Sequence, residues 1–198
     1  MFHTFEESLQ SEPDPLVCAD QFYQNVLHAT HINRYDSDPE FDEEFNRMGI
    51  DVSFVIDDKT IYVSENFRKN IDGHFYFEVF RSYPDADGWI HTGSPDYIAY
   101  FTPHMVYMIQ NKSLQEFYDD KLLPLLPEDC YEDLSESRKT IKSEDVEFGE
   151  EGEGDEVEIH LIKTPDLQRE EICGAIGISI PISTLEKYGV KVKAYEKQ

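Results

Sequence analysis

Acidic charge is spread so unevenly along this chain that it decides which segments can enter a core. The net charge is −25, and residues 1–44 hold 11 acids against the single base Arg34. Residues 128–158 hold 14 acids against Arg138, Lys139 and Lys142. These two segments contribute −10 and −11, whereas 45–127 contributes −5 and 159–198 contributes +1. The run Asp36-Ser-Asp-Pro-Glu-Phe-Asp-Glu-Glu44 is too charged to be core. Residues 143–158 carry nine acids, three glycines and no Lys or Arg. Such a stretch cannot bury enough apolar surface to offset its own ordering, which predicts a flexible acidic loop over 143–156.

The remainder is rich in aromatics, with 13 Phe and 12 Tyr among 198 residues, and predicts one globular domain over 1–198 behind an acidic lead at 1–16. No stretch approaches the roughly 18 uninterrupted apolar residues of a membrane span. The N-terminus lacks the basic and apolar regions of a secretory signal. Cys18, Cys130 and Cys173 are odd in number and far apart, so reduced thiols and a cytoplasmic location are expected.

Phe22, Val26, Ala29 and Ile32 follow a helical rhythm and predict a helix from about Val17 to Ile32, opened by Asp14 or Pro15. Asp51–Ile56, the turn Asp57-Asp58 and Lys59–Ser64 predict a β-hairpin. Further strands are expected at His74–Phe80, after the Asp72-Gly73 turn, and at Met105–Ile109, with Ser94–Phe101 a short helix or strand. Ser113 with Glu116 forms a capping-box pattern for a helix over Leu114–Leu123, which Pro124 ends. Val157–Ile162 and Ala175–Ile180 are strand-like, followed by a helical turn at Ser183–Tyr188 and a final Val190-Lys-Val. The fold class is therefore α/β (α+β), a mixed β-sheet flanked by helices.

Within 50–123 the chain resembles phage and bacterial proteins of the PD-(D/E)XK nuclease superfamily. The likeness rests on Gly49-Ile-Asp51 at a strand start, Phe77-Glu78-Val79-Phe80 on a later strand, Asp87-Gly-Trp-Ile90, and Ser94–Phe101 before a strand and helix. The segment Ile180–Gly189 looks like the closing segment of such phage proteins. The resemblance implies a PD-(D/E)XK-like core in which Asp51 and Glu78, on adjacent strands, hold Mg²⁺. The metal would polarise a phosphate and activate water. Phe80 stands where that pattern has its lysine; Arg81 falls on the opposite face, and Lys112 is the candidate for a displaced lysine.

Electrostatics point elsewhere. The chain has no Lys/Arg-rich run, so direct nucleic-acid binding is not expected. Acidic blocks repel phosphate and attract basic surfaces. The leading expectation is an acidic, phage-type inhibitor that mimics DNA and occupies a basic, nucleic-acid-handling host protein such as a restriction or CRISPR effector. The contacts would come from Asp36, Asp38, Glu40, Asp42, Glu43 and Glu44, and from Glu144, Asp145, Glu147, Glu150, Glu151, Glu153, Asp155 and Glu156. No cofactor is then required. The alternatives are a Mg²⁺-dependent nuclease using Asp51, Glu78 and Lys112, and an assembly protein with a solubilising acidic surface. A homodimer would associate through the aromatic-rich middle. His28 and His31, one helical turn apart, with Cys18 nearby, are the only sequence hint of zinc and fall short of four ligands.

Overall fold

Alternating apolar residues in 52–67 and 97–110 build the central layer of this fold. The structure, a computed structural model, describes residues 14–35, 43–69, 73–82, 86–125, 138–141, 159–164 and 175–197. In chain order the first elements are α1 (Pro15–Asn25), β1 (Thr30–Arg34), α2 (Glu43–Arg47), β2 (Val52–Ile56), β3 (Lys59–Phe67), β4 (His74–Ser82), β5 (Ala86–Asp87) and α3 (Trp89–Thr92). They are followed by β6 (Tyr97–Phe101), β7 (Met105–Gln110), α4 (Asn111–Phe117), β8 (Arg138–Ile141), β9 (Ile159–Thr164), β10 (Ala175–Pro181), α5 (Ile182–Lys187) and β11 (Val192–Glu196).

The strands form two sheets, one ordered β1-β2-β3-β6-β7-β11 and the other β5-β4-β10-β9-β8. The first is mixed, because β3 pairs parallel with β6 while its other neighbours are antiparallel. A parallel pair needs a long crossover, and here β4, β5 and α3 supply it by passing through the second sheet. The second sheet is antiparallel throughout. The architecture is thus mixed α/β around a six-stranded mixed sheet flanked by helices.

Two cores follow from the strand alternation. Ala99, Phe101, Val106 and Met108 face α1 and pack on Phe22 and Tyr23. Ile98, Tyr100 and Ile109 face the other way, toward Phe75 and Phe77 of β4, Ile178 and Ile180 of β10, and Leu114 of α4. The central sheet is therefore buried on both sides, α1 on one face and the second sheet with α4 on the other.

The β2–β3 hairpin forms as expected. Asp57 and Asp58 both take left-handed backbone (φ 49° and 60°), the twist-matched conformation that Asp tolerates better than most residues. Helix α1 starts at Pro15, capped by Asp14 Oδ1 accepting the Leu16 N–H at 3.0 Å, but ends at Asn25 rather than Ile32. His28 and His31 turn left-handed (φ 55° and 51°) and the chain enters β1, which pairs with β2. Pairing with a sheet edge gives Thr30 and Ile32, both β-branched, a better backbone than a lengthened helix.

The capping box is also absent. Strand β7 runs straight into α4 at Asn111, so Ser113 lies inside the first turn. Its hydroxyl donates to the Gln110 carbonyl at 2.9 Å and accepts the Lys191 N–H at 3.0 Å. Within Ser94–Phe101 the residues Tyr97–Phe101 form strand β6, and the last strand lies at Val192–Glu196.

Gly88 sits where β5 meets α3, its N–H on the Val79 carbonyl at 2.7 Å. A methyl group there would fall on the backbone carbonyl of Glu78, which the sheet holds in place. Gly88→Ala is expected to destabilise the fold by about 2 kcal/mol, read as a lower denaturant midpoint with unchanged slope.

Candidate functional site

Glu65 lies on β3 directly opposite Ala99 of β6, on the face that α1 covers. Its carboxylate is 3 % exposed, and Arg34, 17 % exposed, reaches it from β1. Nη1 donates to Oε2 at 2.6 Å and Nη2 to Oε1 at 3.3 Å, a two-pronged pairing. The same guanidinium donates to Asp20 Oδ1 at 3.1 and 2.8 Å and to the Leu16 carbonyl at 3.3 Å, both on α1. Tyr23, also on α1, donates its hydroxyl to Glu65 Oε1 at 2.8 Å.

Burial pushes the Glu65 carboxyl above its ordinary value of 4.5 even though Arg34 pulls it down. Burial likewise lifts the Tyr23 phenol, and the Glu65 charge adds to it. Burial alone would lower Arg34, but its hydrogen bonds to Glu65 and Asp20 outweigh that and hold it protonated. Arg34 is the lone base of residues 1–44. That isolation was the one sequence signal for this cluster.

Asp51 enters here in a different role from a metal ligand. Beyond the end of β2 its Oδ2 accepts the Glu65 N–H at 2.6 Å and the Ser64 hydroxyl at 3.2 Å. The carboxylate thus continues the ladder on β3 where β2 stops. Glu78 lies on β4 in the second sheet, opposite Gly177 and half-buried, where its charge adds to burial in raising the Tyr76 phenol. Asp51 and Glu78 are therefore carried by different sheets, not by adjacent strands. Lys112 stands on α4, 82 % exposed and 3.7 Å from Glu116.

Glu43 and Glu44 open α2 and are exposed, with Glu43 3.2 Å from Arg47. Asp36, Asp38, Glu40 and Asp42 lie outside the described residues, as do Glu144 to Glu156. His28 and His31 do not share a helix face, because α1 has ended before them. Among the described residues there is no group of three or more His, Cys, Asp or Glu able to hold a metal, and no helix long and apolar enough to cross a membrane.

Two concavities flank the central sheet. A crevice of about 240 Å³ lies between α1 and the end of β11, lined by Cys18, Phe22, Val26, Phe101 and Lys197. An open groove of about 660 Å³ lies at the other end, where β6 begins and β7 passes into α4. Its lining includes His91, Ser94, Asp96, Asn111, Lys112 and Gln115. Lys112 was singled out from the sequence as a candidate site residue, and Ser94 and Asp96 fell within the Ser94–Phe101 motif; His91, Asn111 and Gln115 join them through the sheet register.

Arg34→Met strands a buried charge on Glu65 and is expected to cost about 3–5 kcal/mol at neutral pH. A carboxyl raised in the native state binds its proton more tightly folded than unfolded. Its contribution is complete below the ordinary value of 4.5 and is lost as the pH rises through the raised value. Because Arg34 is what lowers Glu65, its removal raises the carboxyl further, so the deficit of Arg34→Met should shrink as the pH falls toward the raised wild-type value and stay constant below 4.5, and Glu65→Gln in that background should flatten the profile. Asp51→Ala should cost about 1–3 kcal/mol by orphaning the Glu65 N–H, and Asp51→Asn, which keeps an acceptor, markedly less. Denaturant titrations from pH 4 to 8 read all four variants.

Comparison of the chain with family models, with curated proteins and with solved structures finds no match in any of the three.

Proposed function

We propose that this chain is an acidic, phage-type inhibitor that occupies a basic, nucleic-acid-handling host protein, such as a restriction or CRISPR effector, in place of nucleic acid. Its scaffold, on this proposal, is a PD-(D/E)XK-like core that has lost its lysine at Phe80. The observation that supports the proposal is a partition of charge. The described residues hold 16 Asp and Glu against 15 Lys and Arg, a net of −1, which leaves −24 of the −25 in the other segments.

Residues 1–44 and 128–158 hold −21 of the −25, whereas a charge needed only for solubility has no reason to gather in two segments. Carboxylates gathered in a few segments can instead meet Arg and Lys as phosphates do, through charge-assisted hydrogen bonds. The segments 36–44 and 144–156 carry that role, steering the encounter over distances that salt shortens. No cofactor is needed, and the site of action is the host cytoplasm.

Capture from host lysate tests this directly, with full-length chain, a 143–156 deletion, and low and high salt in parallel. The deletion removes eight carboxylates, and the captured nucleic-acid enzyme should be held about tenfold or more less tightly, with a shallower salt dependence. Equal capture by both chains would sink the mimic. Mg²⁺-dependent cleavage of DNA or RNA, lost in a folded Glu78→Gln variant, would replace it with the nuclease.

A further inference from the structure

The groove at the start of β6 holds two acceptors without a donor among the described residues, one on Asn111 and one on Asp96. Asn111 Nδ2 donates to the Gly93 carbonyl at 3.3 Å, and Gln115 Nε2 donates to the carbonyls of Ile90 and Gly93 at 2.9 and 3.2 Å. Gln115 thus spends both amide hydrogens, and Asn111 one of its two, on the α3–β6 connection. Asn111 is 3 % exposed, and its Oδ1, the other arm of the carboxamide, has no hydrogen-bond partner. A buried acceptor left this way has given up its water without a replacement, a loss that a ligand donor would recover.

Asp96 stands beside it, tied in by three contacts. Its Oδ2 accepts the Tyr62 N–H at 2.9 Å, its own N–H donates to the Tyr62 carbonyl at 2.8 Å, and its carbonyl accepts the Asn111 N–H at 3.0 Å. Its other carboxylate oxygen has no donor among the described residues. The Lys112 ammonium is set against Glu116 at 3.7 Å, and the His91 ring meets the edge of Tyr118 at 5.2 Å between centroids. With His91 neutral, the lining charges of Asp96 and Lys112 sum to zero, and counting Glu116 beside Lys112 brings the formal balance to −1. Ile61, Pro95 and Tyr97 add an apolar wall.

This combination selects among ligand chemistries. A carboxylate or phosphate brings only acceptors and would leave both unpartnered oxygens without a donor. An ammonium brings charge but no flat face. A guanidinium brings five donors in a plane, a full positive charge and an apolar face that stacks on an aromatic ring. We infer that the groove is a socket for an arginine side chain of a partner protein, its guanidinium held between the Asp96 carboxylate and Asn111 Oδ1 and its stem laid along Ile61, Pro95 and Tyr97. The identity of the partner as a basic protein rests on the proposed function above; the socket's preference for guanidinium does not.

The test is an NMR titration of the full-length, ¹⁵N-labelled chain with Nα-acetyl-arginine amide, against the corresponding lysine and citrulline amides. Saturable shifts should appear at the amides of Asp96, Asn111 and Gln115. Citrulline, planar but uncharged, should bind at least tenfold more weakly, and lysine should bind between the two. Asp96→Asn keeps an oxygen for the Tyr62 N–H and should lose at least tenfold with an unchanged circular dichroism spectrum. Lys112→Ala should leave binding intact or tighten it.

No saturable shift, equal shifts from arginine and citrulline, or shifts that survive in Asp96→Asn would overturn the socket. Shifts confined to the acidic segments would overturn it too, as simple counter-ion binding. If the titration fails while the 143–156 deletion still abolishes capture, the acidic-block function stands without the socket. The reverse pair of results leaves an arginine socket whose partner is not recognised through the acidic blocks.

Discussion

The pairing of Arg34 with Glu65 is the constraint on which the α1 side of the molecule depends. A carboxylate inside the apolar layer between a helix and a sheet is costly unless something fixed and charged meets it. Arg34 meets it from the edge strand β1, and Tyr23 from α1. The guanidinium then continues to Asp20 and the Leu16 carbonyl, so that residues 16, 20 and 23 put a polar stripe on one side of the helix. Ala19 and Phe22 pack beside that stripe. Apolar contact alone would let α1 slide or rotate on the sheet; a two-pronged ion pair with a phenol on the same carboxylate allows one placement. Replacing the whole cluster with well-packed apolar groups could match its stability, but not that definition of position.

The strands were legible where local pattern and tertiary demand agreed. In 51–64 the alternation and the Asp-Asp turn specify the hairpin by themselves, and His74–Phe80 alternates cleanly because one face of β4 is buried against the central sheet. The first helix was overrun because Ile32 fits the helical period, while the decisive fact, an unpaired edge of β2 waiting for β1, lies 20 residues further along the chain. Ser113 misled for a similar reason: the capping-box pattern is local, and the pairing of β11 with β7 that puts Lys191 within reach of its hydroxyl is not.

The site was legible only in fragments. Asp51 stood out as an acid at a strand start, and it is indeed committed, but to the Glu65 and Ser64 groups of β3. Nothing in residue spacing links 23, 34 and 65, or 96 with 111, because each pair is joined by sheet register. Charge was legible in full as an inventory. What the inventory could not supply is which of those charges the described strands, helices and turns carry, a set that nets only −1.

The strand order also has a consequence for how the chain comes to be folded. Strand β4 waits for β10, about a hundred residues later, and β7 waits for β11 near the C-terminus. Neither sheet can be completed on a ribosome until residues 181 and 196 have emerged, so β4 and β7 wait with half-built edges while the residues between are made. Non-local closure of this kind is slow. The cost of closing a flexible loop rises only by about 0.6 kcal/mol for each doubling of its length. Separation along the chain therefore slows the pairing of β4 with β10 more than it weakens the finished sheet.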